Sequence, residues 1–185
     1  MKLVLASSSP RRRELLPLLG LPFEVIEPEV EELTTGDPRE VVAANAELKA
    51  RAGAGLAGPG ATVLGADTDV VLNGLVLGKP ADEAEARARL RSLAGRDHEV
   101  HSGVYVVGPA GARSGTEATT VRFRRLGDDE IDAYVATGEW RGRAGGYAVQ
   151  GYGSSLIASV DGDLSNVIGL PLPLVARLVG DLQTS

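Results

Sequence analysis

The chain contains no cysteine, which excludes disulfides, thiolate nucleophiles, zinc ribbons and iron–sulfur clusters. Histidine is nearly absent too: His98 and His101 are the only two, so any metal expected is a hard ion bound by oxygen. Lysine occurs only at Lys2, Lys49 and Lys79 among 19 cations. No apolar run approaches the roughly 20 residues needed to span a bilayer. The short apolar stretch after Met1-Lys2 ends at Ser7-Ser8-Ser9-Pro10, too soon for the hydrophobic region of a signal peptide, so a cytoplasmic protein with no membrane partner is expected. Neither a GxxxxGK[ST] loop nor a strand-linked GxGxxG fingerprint is present. With a net charge of −6 and a pI of about 5.0, broad nucleic-acid binding is disfavoured, because it requires a basic face that displaces counterions. An anionic ligand would need a local cluster of cations.

What is there suits one α/β domain over residues 1–185. Residues 2–6 read as a buried strand. A helix follows over Arg11–Leu19, with Ser9 as N-cap and Pro10 at its first position. Phe23–Ile26 reads as a second strand, and an acidic loop leads to a helix over Arg39–Leu56 that Asp37 or the residues near it begin. Thr62–Gly65 is a buried strand, followed by Ala66-Asp67-Thr68-Asp69 and then Val70–Leu72. Asn73-Gly74 marks a tight hairpin to Leu75–Leu77. Asp82 caps a helix to Leu93 that Gly95 ends, and strands are expected at Val100–Val107 and Thr116–Leu126, joined by a loop over Gly108–Gly115. A helix capped by Asp128 runs to Thr137, Ala148–Val160 is mostly strand and turn, and Pro171–Leu182 is a closing helix. Strands neither alternate strictly with helices nor cluster in one half. The expectation is a mixed, twisted sheet with flanking helices and two lobes around a central groove.

Five places could carry chemistry. Ser7-Ser8-Ser9-Pro10-Arg11-Arg12-Arg13 sets hydroxyls, free amide groups at a helix start and guanidinium forks together, a combination that suits phosphate; the same pattern also describes a capped surface helix with solvated arginines. Asp67, directly after a buried strand, is suited to binding Mg²⁺ or accepting a proton from water, or to capping a local turn. Glu29, Glu31 and Glu32 form a solvated loop unless a metal lies beside them. Lys49 and Lys79 are either cations for a bound anion or ordinary surface lysines. In Ala144–Gly151 the glycines permit close backbone approach, and the amide of Gln150 could read a base edge.

Taken in order, Ala6-Ser7-Ser8-Ser9-Pro10-Arg11-Arg12 with Glu14-Leu15-Leu16, Glu29-Val30-Glu31-Glu32, Lys49-Ala50, Gly65-Ala66-Asp67-Thr68, Leu77-Gly78-Lys79-Pro80, Ala144–Gly151 and Asn166–Leu172 resemble the Maf family of nucleoside triphosphate pyrophosphatases, named for septum formation. The likeness runs almost end to end. It implies a two-lobed, inosine-triphosphatase-like α/β fold, usually dimeric. The implied activity is hydrolysis of a nucleoside triphosphate between the α and β phosphates, assisted by a divalent cation, Mg²⁺ or Mn²⁺. By that resemblance Ser7, Arg11, Arg12, Lys49 and Lys79 bind the phosphates. Asp67 accepts the proton of the attacking water, and Glu32 joins Asp67 in holding metal. Arg12, Thr68 and Gln150 match positions that set base preference, and the pattern is similar to the branch acting on dTTP and UTP, with modified pyrimidine triphosphates as further substrates. Trp140-Arg141-Gly142-Arg143 departs from the family, which commonly carries an Asp-Lys pair there. Two rival readings are a non-catalytic nucleotide-binding regulator of septation and a nucleic-acid module built on Arg11–Arg13 and Arg122–Arg125.

Overall fold

A computed structural model describes residues 2–183. Seven strands, β1 (Lys2–Ala6), β2 (Phe23–Ile26), β3 (Ala61–Leu72), β4 (Leu75–Val76), β5 (Asp97–Gly108), β6 (Gly111–Phe123) and β7 (Ile157–Asp161), form one sheet in the order β2-β1-β3-β5-β6-β7, with β4 on β3. The sheet is mixed, as expected: β1 runs parallel to β2 and β3, whereas β3–β4 and β6–β7 are antiparallel. Among the described residues the α-helices are α1 (Pro10–Leu15), α2 (Pro38–Ala57), α3 (Glu83–Leu93), α4 (Asp128–Ala136), α5 (Leu164–Ile168) and α6 (Leu172–Gln183). Among the described residues no helix is long and apolar enough to cross a membrane.

The chain divides into two compact units. The first comprises residues 1–68, 102–117 and 169–185. Its strand β1 is almost wholly inward, with Leu3, Val4, Leu5 and Ala6 at most 1% exposed; burial of each such aliphatic side chain contributes about 1.5–3 kcal/mol. Helix α2 begins where the Asp37 carboxylate accepts from the amides of Arg39 and Glu40, at 3.0 and 3.2 Å, leaving fewer orphan donors in its first turn. Two glycines bring α2 close to the sheet. A Cβ on Gly65 would lie 2.3 Å from the Ala46 carbonyl oxygen, and one on Gly103 would lie 2.2 Å from that of Val42. Helix backbone and strand backbone therefore touch, and the α2 side chains at 45 and 49 reach β3 beyond Gly65.

The second unit comprises residues 69–101 and 118–168. Its core joins Val70, Leu72, Leu90, Leu93, Val121, Phe123, Ile131, Tyr134, Trp140, Tyr147 and Leu156. The Asn73-Gly74 turn is as expected: both residues take positive φ, 52° and 78°, and Leu72 pairs with Leu75.

Several boundaries differ from expectation. The first helix stops at Leu15 and tightens into a 3₁₀ turn over Leu16–Leu19, because Pro17 has no amide hydrogen to continue the ladder. Strand β3 is one strand of 12 residues, so Asp67 lies within it rather than after it. Strands β5 and β6 continue through the expected loop and leave only Pro109-Ala110 between them. Helix α4 is capped at Gly127, whose amide donates to Glu130 Oε2 at 3.0 Å, not at Asp128.

Candidate active site

Register explains where Asp67 sits. The pairing of β1 with β3 ends at Ala6↔Gly65, so residues 66–68 of β3 extend past the carboxyl end of their parallel neighbour, where ligands of open α/β sheets enter. Asp67 is 7% exposed. Lys49 Nζ donates to its Oδ1 at 2.7 Å, and Asn45 Nδ2 donates to its Oδ2 at 2.9 Å. A carboxylate can accept about four hydrogen bonds, so two fixed donors orient it and leave capacity for a water. Lys49 Nζ also meets Glu32 Oε1 at 3.1 Å. Two carboxylates from different segments thus converge on one cationic point.

The lysine and asparagine that hold Asp67 lie four residues apart on α2, hence on one face. Asn45 is 1% exposed and is also bonded twice to the acidic loop: Leu33 N donates to its Oδ1 at 2.8 Å, and its Nδ2 donates to Leu33 O at 3.0 Å. That pair fixes the segment carrying Glu32.

One residue along β3, Thr68 belongs to a second network. Arg12 Nη2 donates to Thr68 Oγ1 at 3.2 Å, and Thr68 Oγ1 donates to Gly169 O at 3.2 Å while lying 2.8 Å from Ser102 Oγ. Arg12 Nε also donates to Gly169 O, at 2.9 Å, and Arg12 Nη1 lies 3.5 Å from Ser7 Oγ. The Arg12 guanidinium is buried, 8% exposed, and ties the β1–α1 turn, the middle of β3 and the turn before α6 together. Ser7 Oγ accepts from the Ser9 amide at 3.1 Å. Ser9 stands at the N-cap of α1 but makes no side-chain cap bond, and α1 has only six residues, so the expected helix-start cradle is reduced to a loop of serines. Arg13 pairs with Glu27 and donates to Ser7 O at 3.2 Å. Arg11 is half-buried and lies beside Gly169.

Of the residues singled out in the sequence, Ser7, Arg12 and Thr68 share one network, and Glu32, Lys49 and Asp67 share the other. Lys79 and Gln150 are exposed in the second unit. The segment before Lys79 is held there: Gly78 O accepts from Gly145 N at 2.7 Å and from Arg89, and Gly146 packs on Pro80. Gly145 and Gly146 both take positive φ, so glycine supplies that close approach. At the departure from the family pattern, Arg141 stacks over the Trp140 ring at 4.7 Å, and Gly142 takes a φ of 67° with open space around it. Nearby, the Glu139 carboxylate accepts from the amides of Tyr152 and Gly153 at 2.9 and 3.1 Å.

His98 and His101 stay outside both networks. His98 bonds Tyr147 Oη at 2.7 Å, and burial pulls its pKa down to about 4. His101 pairs with Glu99 at 3.0 Å.

The sequence profile of the Maf-like protein family matches residues 2–182. The chain belongs to that family. The Maf-like chain is 49% identical over 179 residues to a dTTP/UTP pyrophosphatase of Deinococcus radiodurans, covering 96% of this chain and 91% of the relative. It is 51% identical over 180 residues to a dTTP/UTP pyrophosphatase of Symbiobacterium thermophilum, covering 96% and 92%. Among solved structures it is similar to a HAM1 protein from Coxiella burnetii, with a TM-score of 0.59 over the whole of both chains at 18% identity, a likeness of fold.

Asn45, Ser102, Arg89 and the Gly169 carbonyl were not singled out from the sequence. Asn45 carried the one usable signal: an asparagine, a weak helix former, four residues before Lys49 in an alanine-rich helix.

Proposed function

We propose that this protein is a cytoplasmic nucleoside triphosphate pyrophosphatase that cleaves between the α and β phosphates of pyrimidine nucleotides, dTTP and UTP foremost, releasing pyrophosphate. The observation that carries this reading is the Asp67 carboxylate, oriented by Lys49 and Asn45 on the part of β3 that overshoots β1. The family membership and the dTTP/UTP pyrophosphatase relatives support the same chemistry.

Asp67 accepts the proton of the attacking water in this reading, a role that requires a fixed carboxylate within hydrogen-bond reach of that water. Lys49, and with it Ser7, Arg11 and Lys79, stabilises negative charge on the phosphates as the pyrophosphate leaves. Arg12, Thr68 and Gln150 match the positions that set base preference. Among the described residues no three carboxylate or histidine side chains cluster to hold a metal, yet the donor set fits a hard divalent ion such as Mg²⁺ or Mn²⁺, which takes one or two carboxylates and completes its shell with water and substrate phosphate. Glu32 and Asp67, which already share one ammonium, would hold it. When bound, the ion neutralises charge on the phosphates.

The decisive assay incubates the protein with UTP or dTTP and Mg²⁺ or Mn²⁺ and measures the first product. Pyrophosphate is expected, and orthophosphate as the first product overturns the reading. Asp67→Asn is expected to lower kcat by about 10²- to 10⁴-fold, the usual worth of a general base, while nucleotide binding by calorimetry persists.

A further inference from the structure

The buried amide of Asn45 has only one consistent orientation. Leu33 N is a donor and must meet Oδ1; Leu33 O and the Asp67 carboxylate are acceptors and must both meet Nδ2. All three bonds are 3.0 Å or shorter, and both amide hydrogens and the amide oxygen are engaged. Asparagine is a poor residue for the middle of a packed helix, and an apolar side chain would fill a site 1% exposed without any polar group to satisfy. Its presence in α2 is explained by what it joins.

Resting on the reading of Asp67 as the proton acceptor, we propose that Asn45 is a positioning residue for catalysis: it sets the orientation of the Asp67 carboxylate and locks the Glu32 loop to it. Lys49 alone leaves Asp67 free to turn, since one donor on Oδ1 anchors a single oxygen and the carboxylate plane can still swing about that anchor. A second donor on Oδ2 removes that freedom. Because the same amide grips both the N–H and the C=O of Leu33, the acidic loop and the strand carboxylate move as one body. Glu32, the residue before Leu33, is thereby kept at the Lys49 ammonium that Asp67 shares.

Three features separate this from a purely structural role. Leu33 is 50% exposed, so water can satisfy its backbone when the amide is lost. The bond to Asp67 is the one that ties the acidic loop to β3, and a water in its place would satisfy the oxygen without fixing its direction. Leu has the same number and branching of side-chain heavy atoms as Asn, so it enters the site with a similar shape although its methyl groups are bulkier.

The test is a double-mutant cycle on kcat and KM for UTP, comparing wild type, Asn45→Leu, Asp67→Asn and the double variant. Pyrophosphate release by wild type and its loss in Asp67→Asn establish the underlying reading first. Asn45→Leu is then expected to lower kcat by about 10- to 100-fold, the usual effect of removing a partner that orients a reacting group, with KM changed by less than about threefold. In the Asp67→Asn background the same substitution is expected to change the residual kcat by less than about twofold, because the group it orients has gone. An equal loss in both backgrounds, or a rise in KM with kcat unchanged, overturns the assignment of Asn45 while leaving that of Asp67 intact. If Asn45→Leu does not fold, Asn45→Ser, whose small side chain leaves room for a water, enters the same cycle, and additivity there overturns the proposal equally.

Discussion

The two units bury titratable groups by opposite means. In the first, the interior holds charge: Arg12 and Asp67 are at most 8% exposed, and each meets hydroxyls, carbonyls or an opposite charge within hydrogen-bond distance. In the second, the interior holds neutral rings. His98, Phe123 and Tyr147 pack edge to face with centroids 4.8–5.4 Å apart. Burial pulls the His98 pKa down to about 4, pushes that of Tyr134 up to about 12 and raises that of Tyr147. Desolvation disfavours the charged form unless partners replace water. Where partners exist, charge is retained; where they do not, titratable rings serve as shaped apolar bodies with one polar tip.

That contrast is broken first by removing a ring. Phe123, 2% exposed, touches both His98 and Tyr147, and Phe123→Ala is expected to cost about 3–5 kcal/mol of stability, read by urea unfolding, with kcat per folded molecule unchanged. A fall in kcat without a fall in stability would make the aromatic core itself part of the chemistry and erase the distinction.

In the charged unit the corresponding change acts through the backbone. Gly65→Ala drives a Cβ into the Ala46 carbonyl, and overpacking of this kind costs about 1–3 kcal/mol. Because α2 carries both Asn45 and Lys49, displacing it also withdraws the two donors from Asp67. A drop in pyrophosphate release larger than the unfolded fraction explains is therefore expected, measured on samples whose folded fraction is fixed by circular dichroism.

These elements also show how much of the molecule could be read in advance. Asn73-Gly74 announces its hairpin because two positive φ angles in succession suit few other residue pairs, and Asp37 announces its helix because the cap is local. Gly108 and Gly115 mislead: they resemble loop residues, but a Cβ at 108 would strike Thr62 Oγ1 at 2.7 Å and one at 115 would strike Leu174 at 2.8 Å. They mark close approach within long strands. Asp67 looks like the end of a strand because a charge interrupts an apolar run. The strand continues because α2 supplies its partners from 18 and 22 residues away, information that local pattern does not contain. Individual site residues were recognisable by type and motif. Their grouping into two networks, and the inward turn of Arg12, depend on tertiary contacts.

The neutral unit has a pH signature. With its pKa lowered to about 4 from an ordinary 6.5, folded His98 resists a proton that the unfolded chain accepts below 6.5. Stability tied to this group is present above that value and is lost as pH falls from 6.5 towards 4. From pH 7 to pH 5 the loss is about 2 kcal/mol. Urea unfolding at the two pH values measures it, and His98→Gln is expected to flatten the difference. A wild-type stability that is equal at pH 7 and pH 5 would show that His98 holds a charge while buried, as the charged unit's groups do.

The smallest effect belongs to a single hydroxyl in the charged network. Ser102 is fully buried, and its Oγ lies 2.8 Å from Thr68 Oγ1. Thr68 has one hydroxyl hydrogen and donates it to Gly169 O, so Ser102 is the donor in that contact and Thr68 accepts from both Ser102 and Arg12. In Ser102→Ala, Thr68 Oγ1 keeps its bond from Arg12, so no polar atom is stranded, and the expected cost is that of one neutral hydrogen bond, about 1 kcal/mol, in thermal or urea unfolding. In Arg12→Met the same network loses a charged member and the Gly169 carbonyl loses its Nε donor, so the cost should exceed that of Ser102→Ala. If the two variants lose equal stability, the buried guanidinium contributes no more than a serine hydroxyl, and the charge in the first unit is held in place by packing rather than by its partners.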